Sequence, residues 1–195
     1  MVNLALYKSA NQSTTLNYNG FNWTADKAVD GNSSGRKPDT SRTCSATART
    51  ESDQNHTWEV DLGVNINVKT ITVYGRSDGA GVQINGVRLF IGNHSGPWNY
   101  GQEVRSDPPN NTGNIRYVFK PHDTIARFIS LMRQGYILTI CEVTVEGECI
   151  RGTYGYGCND TCGKCYKGDT SCSLTDGRCV EGCEAGWLGD TCKLS

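Results

Sequence analysis

Residues 136–146 read Tyr-Ile-Leu-Thr-Ile-Cys-Glu-Val-Thr-Val-Glu, the longest β-rich run in a chain of 195 residues. Isoleucine, valine and threonine are stiff at χ1 and suit a pleated, half-buried surface. Working outward from this run, other short stretches show apolar residues at period two. Trp58, Val60 and Leu62 alternate with Glu59 and Asp61. Val87, Leu89 and Ile91 form a second face, and Ile115, Tyr117 and Phe119 a third. Ile125, Arg127, Ile129 and Leu131 open a run whose other side, Ala126 and Phe128, is also apolar, which predicts a central strand. Ser95-Gly96-Pro97 and Pro108-Pro109-Asn110-Asn111 punctuate the pattern as loops. Several short strands at this spacing predict an all-β sandwich or jelly roll. One short helix is expected at residues 24–29, stopped by Gly31.

Ten cysteines divide the chain unevenly, since eight of them fall between Cys149 and Cys192. Residues 1–148 hold only Cys44 and Cys141 and are long enough to bury a core of their own. Residues 149–195 carry too few large apolar side chains to offset chain entropy, so this second, smaller domain needs covalent staples. A zinc site could be written from Cys162, Cys165, Cys179 and Cys183, but it would leave four cysteines over. Eight cysteines as disulfides allow 105 connectivities.

Composition narrows the function. Nineteen Lys and Arg against 20 Asp and Glu give a net charge of −1 and a pI near 6.3, which argues against nucleic acid or an anionic membrane as partner. Mean hydropathy is −0.50, and no apolar run approaches the roughly 18 residues of a membrane span. Asn-X-Ser/Thr sequons at Asn11, Asn22, Asn32, Asn55, Asn93, Asn110 and Asn159, together with the even cysteine count, favour an extracellular, secreted or cell-surface setting. The start, Met1-Val-Asn-Leu, shows no signal peptide and reads as a mature segment.

The cysteine-rich part, with Gly152-Thr-Tyr-Gly-Tyr-Gly-Cys158 at its start and Gly186-Trp-Leu-Gly-Asp-Thr-Cys192 at its end, resembles a laminin-type EGF-like repeat of multiple-EGF proteins. That resemblance implies the pairs Cys149–Cys158, Cys162–Cys172, Cys165–Cys179 and Cys183–Cys192. Val145-Glu-Gly-Glu148 is a poor match to the signature of calcium-binding EGF modules, which leaves the repeat the role of a stalk.

Four segments of the first part carry a second resemblance: Asn3-Leu-Ala, Lys27-Ala-Val-Asp-Gly-Asn32, Trp58-Glu-Val-Asp-Leu-Gly63 and Leu138-Thr-Ile-Cys-Glu-Val143. Over residues 3–148 the chain is similar to the F-type lectins (fucolectins), relatives of the discoidin domains. The resemblance implies a galactose-binding-like β-jelly roll, a Cys44–Cys141 disulfide, a structural calcium ion and a shallow sugar site on the loops at one end. The implied calcium ligands are Asp30 and Asn32, the carbonyl of Lys27, Thr43, the carbonyl of Cys141, and Glu142. All are hard oxygens, as calcium requires. A glycan on Asn32 would block its side-chain oxygen, so this sequon is expected to stay unmodified.

For sugar, the family pattern is a histidine followed by Arg-x-Asp and a further basic residue. This chain keeps Arg76-Ser77-Asp78. The histidine position falls on Arg49 or on Ala46, depending on whether it is counted from the arginine or from Cys44, and the last basic position is Gln83. The adjacent cysteines that often follow the aspartate are replaced by Gly79-Ala80. The candidate carbohydrate-binding residues are therefore Arg76, Asp78, Arg49 and Gln83, with Tyr18, Phe21, Trp23, Trp98 and Tyr100 as candidate stacking faces.

His56, His94 and His122 sit in polar or turn-like segments without a nucleophile or carboxylate partner pattern, so no enzyme is expected. The leading reading is a calcium-stabilised carbohydrate-binding module on an EGF-like stalk, acting in recognition or adhesion with glycans or glycoproteins as partners. The alternative is a protein-interaction or structural module, or a piece of a receptor ectodomain, whose sugar site has decayed.

Overall fold

The fold is described from a computed structural model over residues 3–35, 43–49, 54–78, 80–105, 116–122, 124–135, 137–168 and 171–195. Thirteen strands are present among these residues. They are β1 (Ser9–Gln12), β2 (Asn17–Tyr18), β3 (Phe21–Asn22), β4 (Ser45–Ala46), β5 (Asn55–Tyr74), β6 (Arg88–Gly92), β7 (Gln102–Val104), β8 (Arg116–Phe119), β9 (Thr124–Gln134), β10 (Thr139–Ile140), β11 (Glu142–Cys149), β12 (Thr153–Tyr154) and β13 (Asp160–Thr161). The protein is all-β with a sandwich-like arrangement, as the alternating sequence predicts.

Strand β5 builds both layers. Its first half lies between β1 and β9, with Ala10 opposite Val60 and Ile129 opposite Val60 on the other side. Its second half lies between β11 and β8, with Val145 and Phe119 flanking Ile71. The register slips between Asp61 and Ile66, where Gly63 takes φ +86° and its N–H donates to Asp61 Oδ1 at 2.8 Å. This irregularity lets one strand bend from one sheet into the other. Antiparallel β9–β6 and β6–β7 pairs complete the first sheet.

Trp58, Val60, Leu62, Ile66, Ile71, Leu89, Ile91, Phe119, Ile129 and Leu131 fill the space between the layers at 2% exposure or less. Each such aliphatic side chain contributes roughly 1.5–3 kcal/mol by leaving water. Strand β9 is central, flanked by β5 and β6. Ile129 and Leu131 of its expected face are buried, but at the start of the strand Ala126 is buried instead and Ile125 is 51% exposed. The inward parity changes within β9, between Ala126 and Ile129, while β5 keeps Val60, Leu62, Ile66 and Val68 inward across the register shift. Tyr117 and Phe119 face inward, whereas Ile115, Tyr136, Gly79 and the Asn110 sequon lie outside the described residues.

The expected helix at 24–29 is a single 3-10 turn, Ala25–Ala28. It buries Ala25 and Ala28, accepts the Trp58 indole N–H on the Ala25 carbonyl at 3.0 Å, and is followed by Gly31 at φ +87°. Four residues are too few to repay α-helix nucleation.

Residues 149–195 are held by cysteines. The disulfides are Cys44–Cys141 in the first part and Cys149–Cys158, Cys162–Cys172, Cys165–Cys179 and Cys183–Cys192 in the second. Four cysteines, Cys165, Cys172, Cys179 and Cys192, make the small core, with Tyr154 and Trp187 packed on it. Strand β11 runs without a break into Cys149, and Cys158 packs into the large core at 2% exposure.

Candidate functional site

The Cys44–Cys141 disulfide ties two segments that would otherwise be independent loops. It sits in a small core with Trp23, Ala46 and Ile137, on which Leu16 and Phe21 pack. One side of this knot carries acidic residues and the other a cavity.

On the acidic side, Glu142 opens β11 and is only 1% exposed. Its Oε2 accepts the Gly31 N–H at 3.1 Å and its Oε1 the Asn3 side-chain amide at 3.3 Å. Burial, with the neighbouring Asp30 charge adding to it, pushes the Glu142 carboxyl up to about 8 despite these hydrogen bonds. A buried carboxylate beside a second acid, with no ion pair among the described residues, gathers hard oxygens at one place. Asp30 Oδ1 accepts the Asn32 N–H at 2.9 Å and Asn32 Oδ1 the Ser34 N–H at 3.1 Å, so the turn orders its own oxygens. Lys27 lies in the 3-10 turn just before Asp30, and Thr43, 5% exposed, adjoins Cys44 across the disulfide from Cys141. The donor set suits a hard cation such as calcium. Among the described residues no group of three or more His, Cys, Asp or Glu is placed to hold a metal ion, so carbonyl, amide and hydroxyl oxygens would have to complete any such shell.

On the other side lies a cavity of about 600 Å³, lined by Tyr18, Trp23, Ala46, Arg49, Arg76 and Gln83 among others. Arg76 donates from Nε and Nη2 to both oxygens of Asp78, at 2.9 and 2.6 Å, and from Nη1 to Gln83 Oε1 at 3.2 Å. Thr139 Oγ1 donates to the same Gln83 oxygen at 2.8 Å. Burial works to raise the Asp78 carboxyl, but the Arg76 guanidinium and the Ala80 N–H outweigh it and hold it below the usual range. The guanidinium is thus locked as a fork. Two of its N–H groups and both N–H groups of the Gln83 amide have no partner among the described residues. Both side chains line the cavity.

The structure therefore brings Arg76, Gln83 and Arg49 to one cavity and sets Asp78 behind Arg76 as its clamp. Ala46 lines the same cavity, buried at 1%, so an apolar methyl stands where one count places the histidine. Of the candidate stacking faces, Tyr18 borders the cavity and is 56% exposed. Trp23 is only 6% exposed and packs on the disulfide core, which removes it as an open platform. Trp98 and Tyr100 line no part of this cavity, and Phe21 faces a neighbouring one of about 310 Å³.

Two contributors escaped the sequence reading. Asn3 donates to Glu142 and accepts the Ala5 and Val145 N–H groups with Oδ1, fastening the chain start to the acidic side. The β2–β3 hairpin forms a cavity wall through Asn17 and Tyr18. Its signal was the dipeptide Asn19-Gly20, whose φ angles of 51° and 76° are those of a tight two-residue hairpin turn.

The β-sandwich fold is that of the discoidin-like, galactose-binding-like modules. The chain belongs to the F5/8 type C domain family, which matches residues 9–143. No curated protein sequence matches it. Among solved structures it is similar to a Streptococcus pneumoniae fucose binding module at 27% identity and TM-score 0.58, covering 75% of this chain and 96% of that one. It is similar at 27% identity and TM-score 0.63 to an F-lectin (fucolectin) from striped bass (Morone saxatilis) serum, covering 75% of this chain and 48% of that one. The lectin domain of lectinolysin, solved with Lewis b antigen, is 26% identical with a TM-score of 0.59, over 76% of this chain and 98% of its own. Among the described residues no helix is long and apolar enough to cross a membrane.

Proposed function

We propose that this protein is an extracellular carbohydrate-binding module that recognises fucose-type glycans by reversible binding, without catalysis. The observation that carries the reading is the Arg76 fork, clamped by Asp78 and bordering a cavity with donors left over. A sugar offers hydroxyl and ring oxygens that accept such donors, and a shallow site needs a few groups fixed in advance. The similarity to fucose-binding and fucolectin structures supports the same chemistry. Calcium, held by Glu142, Asp30, Asn32, Thr43 and the carbonyls of Lys27 and Cys141, steadies the loops and takes no part in binding chemistry. Residues 149–195 serve as a laminin-type EGF-like stalk that presents the module in recognition or adhesion. Several copies on one surface would gain avidity from individually weak sites.

The test is a glycan array probed with the multimerised chain in calcium buffer and again in EDTA. A fucosylated signal that disappears in Arg76→Ala is expected. Silence from folded, calcium-loaded protein would overturn the reading in favour of a protein-interaction module. One observation favours that second reading: the buried Ala46 methyl supplies no donor where the count from Cys44 places the histidine of the lectin pattern.

A further inference from the structure

The sequons find different places in the fold, and one of them adjoins the cavity. Asn22 ends β3, is exposed, and pairs across the hairpin with Asn17, a residue of the cavity wall. Its side-chain amide has no hydrogen bond among the described residues, whereas Asn32 commits its Oδ1 to the Ser34 N–H. Asn22 and Thr24 line the adjoining 310 Å³ cavity, and Trp23 between them borders both cavities. Asn93, by contrast, follows the end of β6 and lines neither of these two cavities. Asn159 lies in the cysteine-rich part.

We propose that Asn22 is an N-glycan acceptor and that its glycan lies over the mouth of the cavity, so that the protein's own sugar shields the site from external ligand. The covalent step is the usual transfer from a lipid-pyrophosphate oligosaccharide. The Asn22 Nδ2 forms a bond to C1 of the first sugar, the C1–O bond breaks, and the electron pair leaves with the lipid pyrophosphate. The amide proton passes to a base of the transferase. Acceptance requires an Asn-X-Thr sequon with a reachable asparagine in a secreted chain, and Asn22 itself is exposed. The shielding follows from position, since a bulky polar chain rooted directly beside the cavity wall, on the strand partner of Asn17, occupies the space in front of it. The competition for ligand rests on the carbohydrate-binding reading, whereas occupancy and shielding do not.

The experiment uses the full chain secreted from mammalian cells, as wild type and as the Asn22→Gln and Asn93→Gln variants. Glycopeptide mass spectrometry is expected to find Asn22 occupied. Hydroxyl-radical footprinting is expected to show Tyr18 several-fold more reactive in Asn22→Gln than in wild type and unchanged in Asn93→Gln. On an array of fucosylated and unfucosylated oligosaccharides, Asn22→Gln is expected to bind about tenfold more tightly than wild type. An unmodified Asn22 in the secreted chain overturns the proposal, as does equal Tyr18 reactivity in both proteins. If neither protein binds any glycan while Tyr18 is shielded, the carbohydrate-binding reading fails and the modification stands.

Discussion

Glu142 and Arg76 are polar side chains placed in the protein at a cost, and each cost predicts a measurement. In the protein alone, burial pushes the Glu142 carboxyl up to about 8 against an ordinary value of 4.5, so the native state holds this proton more tightly than the unfolded chain. That contribution to stability is complete below about pH 4.5 and is lost as pH rises through about 8. The melting temperature of EDTA-treated protein should fall between pH 5 and 8. Calcium, replacing the proton as counter-charge, should flatten the slope, and Glu142→Gln should lack it in either buffer. For Arg76, the worth of a charge-assisted hydrogen bond, roughly 1.5–3 kcal/mol, translates to about a 10- to 100-fold loss of glycan affinity. Asp78→Asn, which leaves Arg76 in place but removes its charge partner, should lose affinity by a smaller factor within that range. Titration calorimetry or array dose curves separate the two variants. The residue types were legible in the sequence, because Asp30, Asn32 and Glu142 offer hard oxygens and Arg76-Ser77-Asp78 offers a fork and a clamp. The Asn3 contact to Glu142 spans 139 residues, and no local pattern encodes it.

At the scale of elements, the hairpin of β2 and β3 turns loop residues into a wall. Gly20 has φ +76° and nothing within 4 Å of where a Cβ would sit, so a side chain there meets backbone strain and no clash. Gly20→Val should cost about 1–2 kcal/mol from the left-handed backbone alone. At about 2–4 °C per kcal/mol for a chain of this size, the melting temperature should drop by roughly 2–8 °C. Glycan affinity should fall as well, because Tyr18 and Asn17 leave their places. Unchanged affinity with a lowered melting temperature would remove this hairpin from the site. Period-two alternation made most large strands legible, including β6, β9 and the first half of β5. Ile129 and Leu131 lie on the expected face of β9, but its start turns the other way, Ala126 inward and Ile125 outward, because the register shifts against β5 and register is a property of the pair.

For the molecule as a whole, the cysteine-rich part and the jelly roll share a seam. Strand β11 carries the chain directly into the Cys149–Cys158 disulfide, and Cys158 belongs to the large core. Replacing both cysteines with alanine should destabilise the jelly roll, by about 2–4 kcal/mol on the usual scale for such cross-links. Replacing Cys183 and Cys192, which lie outside that core, should leave the jelly roll's near-ultraviolet circular dichroism and melting transition unchanged while loosening the end of the chain. Equal effects of the two double variants would mean that the seam carries no stability.

The sequence by itself determined the all-β class, the uneven division of the cysteines and the residue types available for binding, because alternation, turn chemistry and composition are local and survive without contacts. Only the tertiary structure decided that the Arg76 fork is clamped by Asp78 beside a cavity, that Trp23 is buried on a disulfide core while Tyr18 borders the opening, and that one sequon adjoins it. Those facts depend on segments distant in the chain, drawn together by the disulfide and by the bend of one long strand, and neither the register nor the burial that places them is written at any single position.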